Sequence, residues 1–219
     1  PRCSVSTDED LDYAVQSAKT AFTSWRNTPI GKRKKFVLKF ADSLVRETPA
    51  SISMLTLKQS KLLPLANMEL AASISWIRGS AKLNIPETAI KVSEERIAIV
   101  KYTPFGVVGD FVPCNFPIML ATAAILPCLL TGNAIILKPP ETRPSAIYGG
   151  LRLAELAMKI FPPGFFQCLS GNDTLGPWRF MSHHGIYKIS FTGSVATGNL
   201  VMASTSTTSE ATWQVRHIV

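Results

Sequence analysis

Cysteine and histidine are both sparse in this 219-residue chain, at four and three residues. Cys3, Cys114, Cys128 and Cys168 show no Cys-x-x-Cys spacing, and three of them lie in or beside apolar runs. That is the setting of reduced, buried thiols in a cytoplasmic protein rather than of disulfides. His183-His184 lacks the surrounding ligand cluster that zinc requires, so no metal site is expected. The chain has no Gly-x-Gly-x-x-Gly, and Gly193 to Gly198 lacks the lysine of a phosphate-binding P-loop. It shows no signal-peptide pattern at its start and no internal repeat. Charged residues make up only 17% against 46% hydrophobic, a globular and not a disordered balance. Acidic residues are outnumbered, giving a net charge of +8, which raises the question of nucleic acid or another anionic partner. The basic residues are scattered, however, except for Lys32-Arg33-Lys34-Lys35, which reads as a solvated helix start. Nucleic acid is therefore not expected as a partner.

What is present is concentrated between Thr103 and Glu141. Phe105 to Val112 is a short apolar, β-branched run, the pattern of a buried strand. Pro113-Cys-Asn-Phe-Pro117 ends it, and Ile118 to Leu130 is a run of helical length that is apolar on every side. Pro117 suits the first helical turn, and Gly132-Asn133 suits a left-handed C-terminal cap. Ala134 to Leu137 is another buried strand, ending in Lys138-Pro-Pro-Glu141. Strand, helix and strand make a βαβ unit with parallel strands, and such sheets bind ligands at the strands' carboxyl ends. Asn115, Lys138 and Glu141 all fall there. Phe111 to Leu130 is uncharged and long enough for a membrane span, but Pro113, Asn115, Pro117 and Pro127 interrupt it, so no span is expected.

Before this unit the pattern is helical. Ser6-x-x-Glu9 has the spacing of a capping box, followed by the stripe Leu11, Val15, Ala18, Phe22, Trp25. A second helix is expected to about Val45, a break at Glu47-Thr-Pro-Ala, a third helix from Ser51 to Lys58, and a fourth from Ala66 to Leu83. Val92 to Tyr102 reads as a strand. After it come a helix from Ala146 to Ile160, a strand Phe165 to Leu169 and a short helix Pro177 to Ser182. A strand Tyr187 to Phe191 follows, with another helix behind Thr192-Gly-Ser194. The alternation predicts an α/β fold with a doubly wound sheet. Residues 1–102 form a helical lead-in with a strand, within the same domain as an α/β core over 103–203. Residues 204–219 are polar and aperiodic and are expected to fray.

Phe105-Gly-Val-Val-Gly with Pro113-x-Asn-Phe-Pro117, Thr131-Gly-Asn-Ala134 and Leu137-Lys-Pro-x-Glu141 resembles the NAD(P)-dependent aldehyde dehydrogenase superfamily. Pro162-Pro-Gly164, Gly171 and Lys188-Ile-Ser-Phe-Thr-Gly-Ser194 continue it in register. The resemblance implies a Rossmann-like NAD-binding half, with its early strand used in oligomer contacts. It implies that Asn115 holds the oxyanion, and that Lys138 and Glu141 bond the adenosine ribose. It places Gly193 and Ser194 at the pyrophosphate, with Phe111, Val112, Pro113 and Gly171 also lining the cofactor. An acidic Glu141 favours NAD over NADP.

Two parts of the resembled pattern are not matched. The family's general-base glutamate stands in a Glu-Leu-Gly-Gly motif, where this chain has Trp213-Gln-Val-Arg-His-Ile-Val219. The nucleophilic cysteine lies further on, in a catalytic domain. Cys114 is expected to be a small buried hydrophobe and not its replacement. The expectation is therefore a truncated relative without turnover of its own, taking a small aldehyde only if a catalytic domain completes it, and open to homo- or hetero-oligomer formation. The alternative is an NAD-binding or interaction module without activity, whose partner is a full-length relative or an anionic surface.

Overall fold

The computed structural model describes residues 5–86, 88–92, 97–140, 144–171, 177–205 and 212–215. Three helices lead: α1 (Asp8–Trp25), α2 (Ile30–Gln59) and α3 (Leu63–Ser80). A small antiparallel hairpin follows, β1 (Thr88–Val92) with β2 (Ile97–Val100), in place of the single strand expected over 92–102. The core then alternates: β3 (Val107–Phe111), α4 (Pro117–Leu130), β4 (Ala134–Lys138), α5 (Pro144–Met158), β5 (Phe166–Cys168), α6 (Pro177–Met181), β6 (Lys188–Phe191), α7 (Val195–Thr205) and β7 (Thr212–Val215). The five core strands are all parallel and ordered β5-β4-β3-β6-β7. β3 is central, and the chain winds outward from it in both directions, so the switch in strand order lies beside β3.

The sheet is covered on both faces. Val107, Phe111, Ala134, Ile136, Ile189 and Phe191 point to one side, where they pack with Leu11, Val15 and Ala18 of α1 and with Phe180. Val108, Val112, Ile135 and Leu137 point to the other, against α4, α5 and the helical lead-in. Trp25 joins the layers. Its ring packs on Phe36, Phe161 and Phe165, and its Nε1–H donates to the Leu129 carbonyl at 2.9 Å.

Four local expectations are corrected. The capping box of α1 is one residue later than Ser6-x-x-Glu9. Thr7 is the N-cap, its Oγ1 accepting from Asp10 N–H, while Asp10 Oδ2 accepts from Thr7 N–H. The helix is also not broken at Pro49: α2 runs unbroken through it for 30 residues. Val37, Phe40, Leu44, Ser51 and Leu55 form one buried stripe across that point, and Pro49 lies exposed on the outer face. Packing of the stripe outweighs the single hydrogen bond that proline removes.

Arg33, third, is not solvated. It is buried, and a side chain at Gly132 would strike its guanidinium at 2.2 Å. Gly132 sits at φ +91 and closes α4 with Asn133, whose N–H reaches the Cys128 carbonyl at 3.0 Å. The tail, finally, carries a strand: β7 pairs with the outer edge of β6, whose backbone groups it satisfies.

Candidate cofactor and oxyanion site

Register brings the expected site residues to one edge. Phe111 stands opposite Lys138 on β4 and opposite Phe191 on β6. Val112 N–H reaches on to the Lys138 carbonyl at 3.4 Å, and Thr192 N–H to the Phe111 carbonyl at 3.0 Å. Phe111, Val112 and Pro113, Lys138, and Thr192-Gly193-Ser194 therefore leave the sheet side by side at the switch in strand order. Gly171 is buried at the end of β5, on the far side of β4. Glu141 lies outside the described residues.

Lys138 is buried, and its Nζ donates to the Pro139 carbonyl at 3.4 Å. Gly193 is pressed against Phe191, since a Cβ there would lie 2.6 Å from the ring. Ser194 caps α7, its Oγ accepting from Thr197 N–H at 3.2 Å and meeting Thr197 Oγ1 at 2.9 Å. Because Thr197 is three residues on, the first turn of α7 opens at the same edge as Pro113.

Asn115 is exposed, and its Oδ1 accepts from Phe116 N–H at 3.0 Å. That bond assigns the carboxamide: oxygen toward the backbone, the NH₂ turned outward as a donor. Cys114 is half-buried, and its carbonyl accepts from Gln59 Nε2 at 2.5 Å.

Sequence reasoning missed what stands behind this loop. The N-terminus of α4 has no cap from its own chain segment. Glu69 of α3, wholly buried, supplies one: its Oε1 accepts from Ile118 N–H at 2.8 Å and Met119 N–H at 3.2 Å. The other oxygen, Oε2, is ion-paired with Lys61, itself nearly buried. The signal was available, because Glu69 lies on the α3 stripe of Ala66, Leu70, Ser73 and Ile77 and is the sole charge between Lys61 and Arg78.

A second missed acid is Asp110 on β3. Neither of its oxygens completes a hydrogen bond among the described residues, and burial pushes it up to about 7, with the neighbouring Ser190 side chain pulling the other way. Burial, then the nearby Asp110, also push the Cys128 thiol upward, so that sulfur is inert as a nucleophile. Beside this face α4 and β6 leave a groove of about 330 Å³, lined by Leu120, Ala124, Lys188, Ser190 and Thr192.

Among the described residues no cluster of three or more metal-ligating side chains occurs, and no helix is long and apolar enough to cross a membrane. Residues 2–214 match the model of the aldehyde dehydrogenase family. The aldehyde dehydrogenase LUC3 of a Fusarium species is 36% identical over 197 residues, covering 90% of this chain and 41% of that protein. The mitochondrial aldehyde dehydrogenase of Leishmania tarentolae is 34% identical, covering 88% and 39%. The NAD⁺ complex of an aldehyde dehydrogenase from Bacillus cereus superimposes with a TM-score of 0.88 at 27% identity, over 97% of this chain and 44% of that one. The chain thus spans about two fifths of the curated relatives it matches.

Proposed function

The chain belongs to the aldehyde dehydrogenase family, and from that premise we propose that it provides the NAD-binding and oxyanion-holding half of an NAD-dependent aldehyde oxidation. The observation that carries this reading is the meeting of Pro113, Lys138 and Ser194 at one sheet edge, with the outward NH₂ of Asn115 on the loop that leaves the same strand.

The residues fit the group. Lys138, with Glu141 beyond it in sequence, would hold the adenosine ribose. The first turn of α7 would meet the pyrophosphate with backbone N–H groups and with the Ser194 hydroxyl proton. Gly193 keeps the backbone low enough for close approach, because any side chain there collides with Phe191. Phe111, Val112, Pro113 and Gly171 would line the cofactor at the same strand ends. Bound there, NAD⁺ supplies the hydride acceptor. Asn115 donates its carboxamide N–H to the oxygen on which negative charge develops when a thiolate adds to an aldehyde carbonyl. The thiolate and the water-activating base belong to segments of the family that this chain does not match, so the chain alone is not expected to turn over aldehyde.

The test is a thermal melt with and without millimolar NAD⁺. A ligand that binds only the folded state raises the midpoint by mass action. The expected result is a cooperative melt that shifts upward, with the shift lost in Lys138→Ala. A cooperative melt that NAD⁺ leaves unmoved would refute cofactor binding.

A further inference from the structure

We infer that Lys61 is a positioning residue for the Asn115 carboxamide, acting through the peptide group between Asn115 and Phe116. The inference rests on the proposed oxyanion role of Asn115 and deepens it.

That peptide group is held at both ends. Its carbonyl, on Asn115, accepts from Lys61 Nζ at 2.7 Å. Its N–H, on Phe116, donates to Asn115 Oδ1 at 3.0 Å. A cation on the carbonyl polarises the amide and makes its N–H a stronger donor, so the two bonds reinforce each other. The bond to Oδ1 is the one that turns the Asn115 NH₂ outward. Lys61 therefore orients a donor that its own ammonium does not touch.

Lys61 is itself fixed from three sides. Glu69 pairs with it from α3, the Asn115 carbonyl takes a second proton, and the Phe116 ring lies 4.2 Å beneath the ammonium. Its backbone is set by Ser60, the single described non-glycine residue with positive φ (54°), which turns the chain sharply at the end of α2. Gln59, on the other side of that turn, holds the Cys114 carbonyl. The same Glu69 closes the N-terminus of α4, so the loop of residues 114–116 and the helix it enters share one buried anchor.

The test reads the Asn115 side chain directly, by three-bond NMR couplings that report its χ1 rotamer, together with hydrogen exchange at Phe116 N–H. In the unmodified chain Asn115 is expected in a single rotamer, with Phe116 N–H protected. In Lys61→Met the couplings become rotamer-averaged and Phe116 exchange rises about tenfold, one bond's worth. Lys61→Arg restores the single rotamer. Exchange at Val108 and Ile136 in the sheet core reports the overall stability lost with the Lys61–Glu69 pair, and a rise at Phe116 beyond theirs in Lys61→Met separates positioning from general destabilisation. A rotamer-averaged Asn115 in the unmodified chain would overturn the inference with no variant needed. So would Lys61→Met with Asn115 couplings unaltered. None of these readouts uses NAD⁺, so a failure of cofactor binding leaves them interpretable.

Discussion

Two carboxyl groups lie buried near α4, and the protein treats them in opposite ways. Glu69 faces a lysine and two helix N–H groups. Asp110, one layer deeper and on the central strand, completes no hydrogen bond among the described residues and is pushed up to about 7. Both are almost completely inaccessible, at 0% and 1% exposure, so burial alone does not decide the outcome. What decides it is whether the surroundings return the hydration that burial removes. Glu69 is an anchor, whereas Asp110 is a titrating group whose polar neighbour Ser190 does not offset its burial.

Removing each acid should therefore have opposite signs. The largest effect is expected from Glu69→Leu, which leaves the Lys61 ammonium buried without its partner and the first N–H groups of α4 unmet. A loss of about 3–5 kcal/mol is expected from guanidinium denaturation. A loss below about 1 kcal/mol would mean that the pair is not the anchor described.

Asp110 sharpens the contrast through pH. Its folded-state pKa of about 7 lies above the ordinary 3.8, so the folded protein holds this proton more tightly than the unfolded chain does. Its contribution is fully present below about pH 4, falls as pH rises toward 7, and is flat above that. Over that window the loss is on the order of a few kcal/mol. Asp110→Asn should flatten the pH dependence and be more stable than the parent at pH 8, measured by the same denaturation across a pH series. An unchanged pH profile would place the titration elsewhere.

The smallest effect belongs to the other helix at this edge. α7 is capped by its own Ser194 and not by a buried carboxylate from a neighbour. Ser194→Ala should cost only about 1 kcal/mol of stability. It should nevertheless reduce the NAD⁺-induced midpoint shift, which Asp110→Asn should leave alone. Loss of stability on the scale of Glu69→Leu would show that the two helix ends are anchored alike after all.

How much of this was legible depended on whether the determinant was local. The all-apolar run from Ile118 to Leu130, Pro117 before it and Gly132-Asn133 after it specify α4 within their own segment, and it forms there. The placement of Lys138 and Ser194 at strand ends follows from the same local patterning. Pro49 misled because the stripe from Val37 to Leu55 that carries the helix past it draws its stability from tertiary packing. The tail misled for a related reason: Thr212–Val215 is a strand because β6 offers an open edge, which no pattern inside the tail records. Glu69 and Asp110 look alike as letters, and only the neighbours brought from Lys61 and from α4 tell them apart. The motif resemblance named residues that the register brings together, but not the anchor behind them.

Four polar contacts tie the first helix and the residues just before it to the last third of the chain. Ser6 N–H bonds the Ser170 carbonyl, Gln167 Nε2 bonds the Ala14 carbonyl, Asp8 pairs with Arg179, and His183 Nε2 meets Asp12. During synthesis at about 5–20 residues per second, α1 emerges roughly 10–30 s before those partners do. Until β3 and β4 follow, Leu11, Val15 and Ala18 form an apolar stripe without its native cover. The polar groups of α1 are thus made long before those that bond them, and in the meantime its apolar stripe is a surface for a ribosome-associated chaperone.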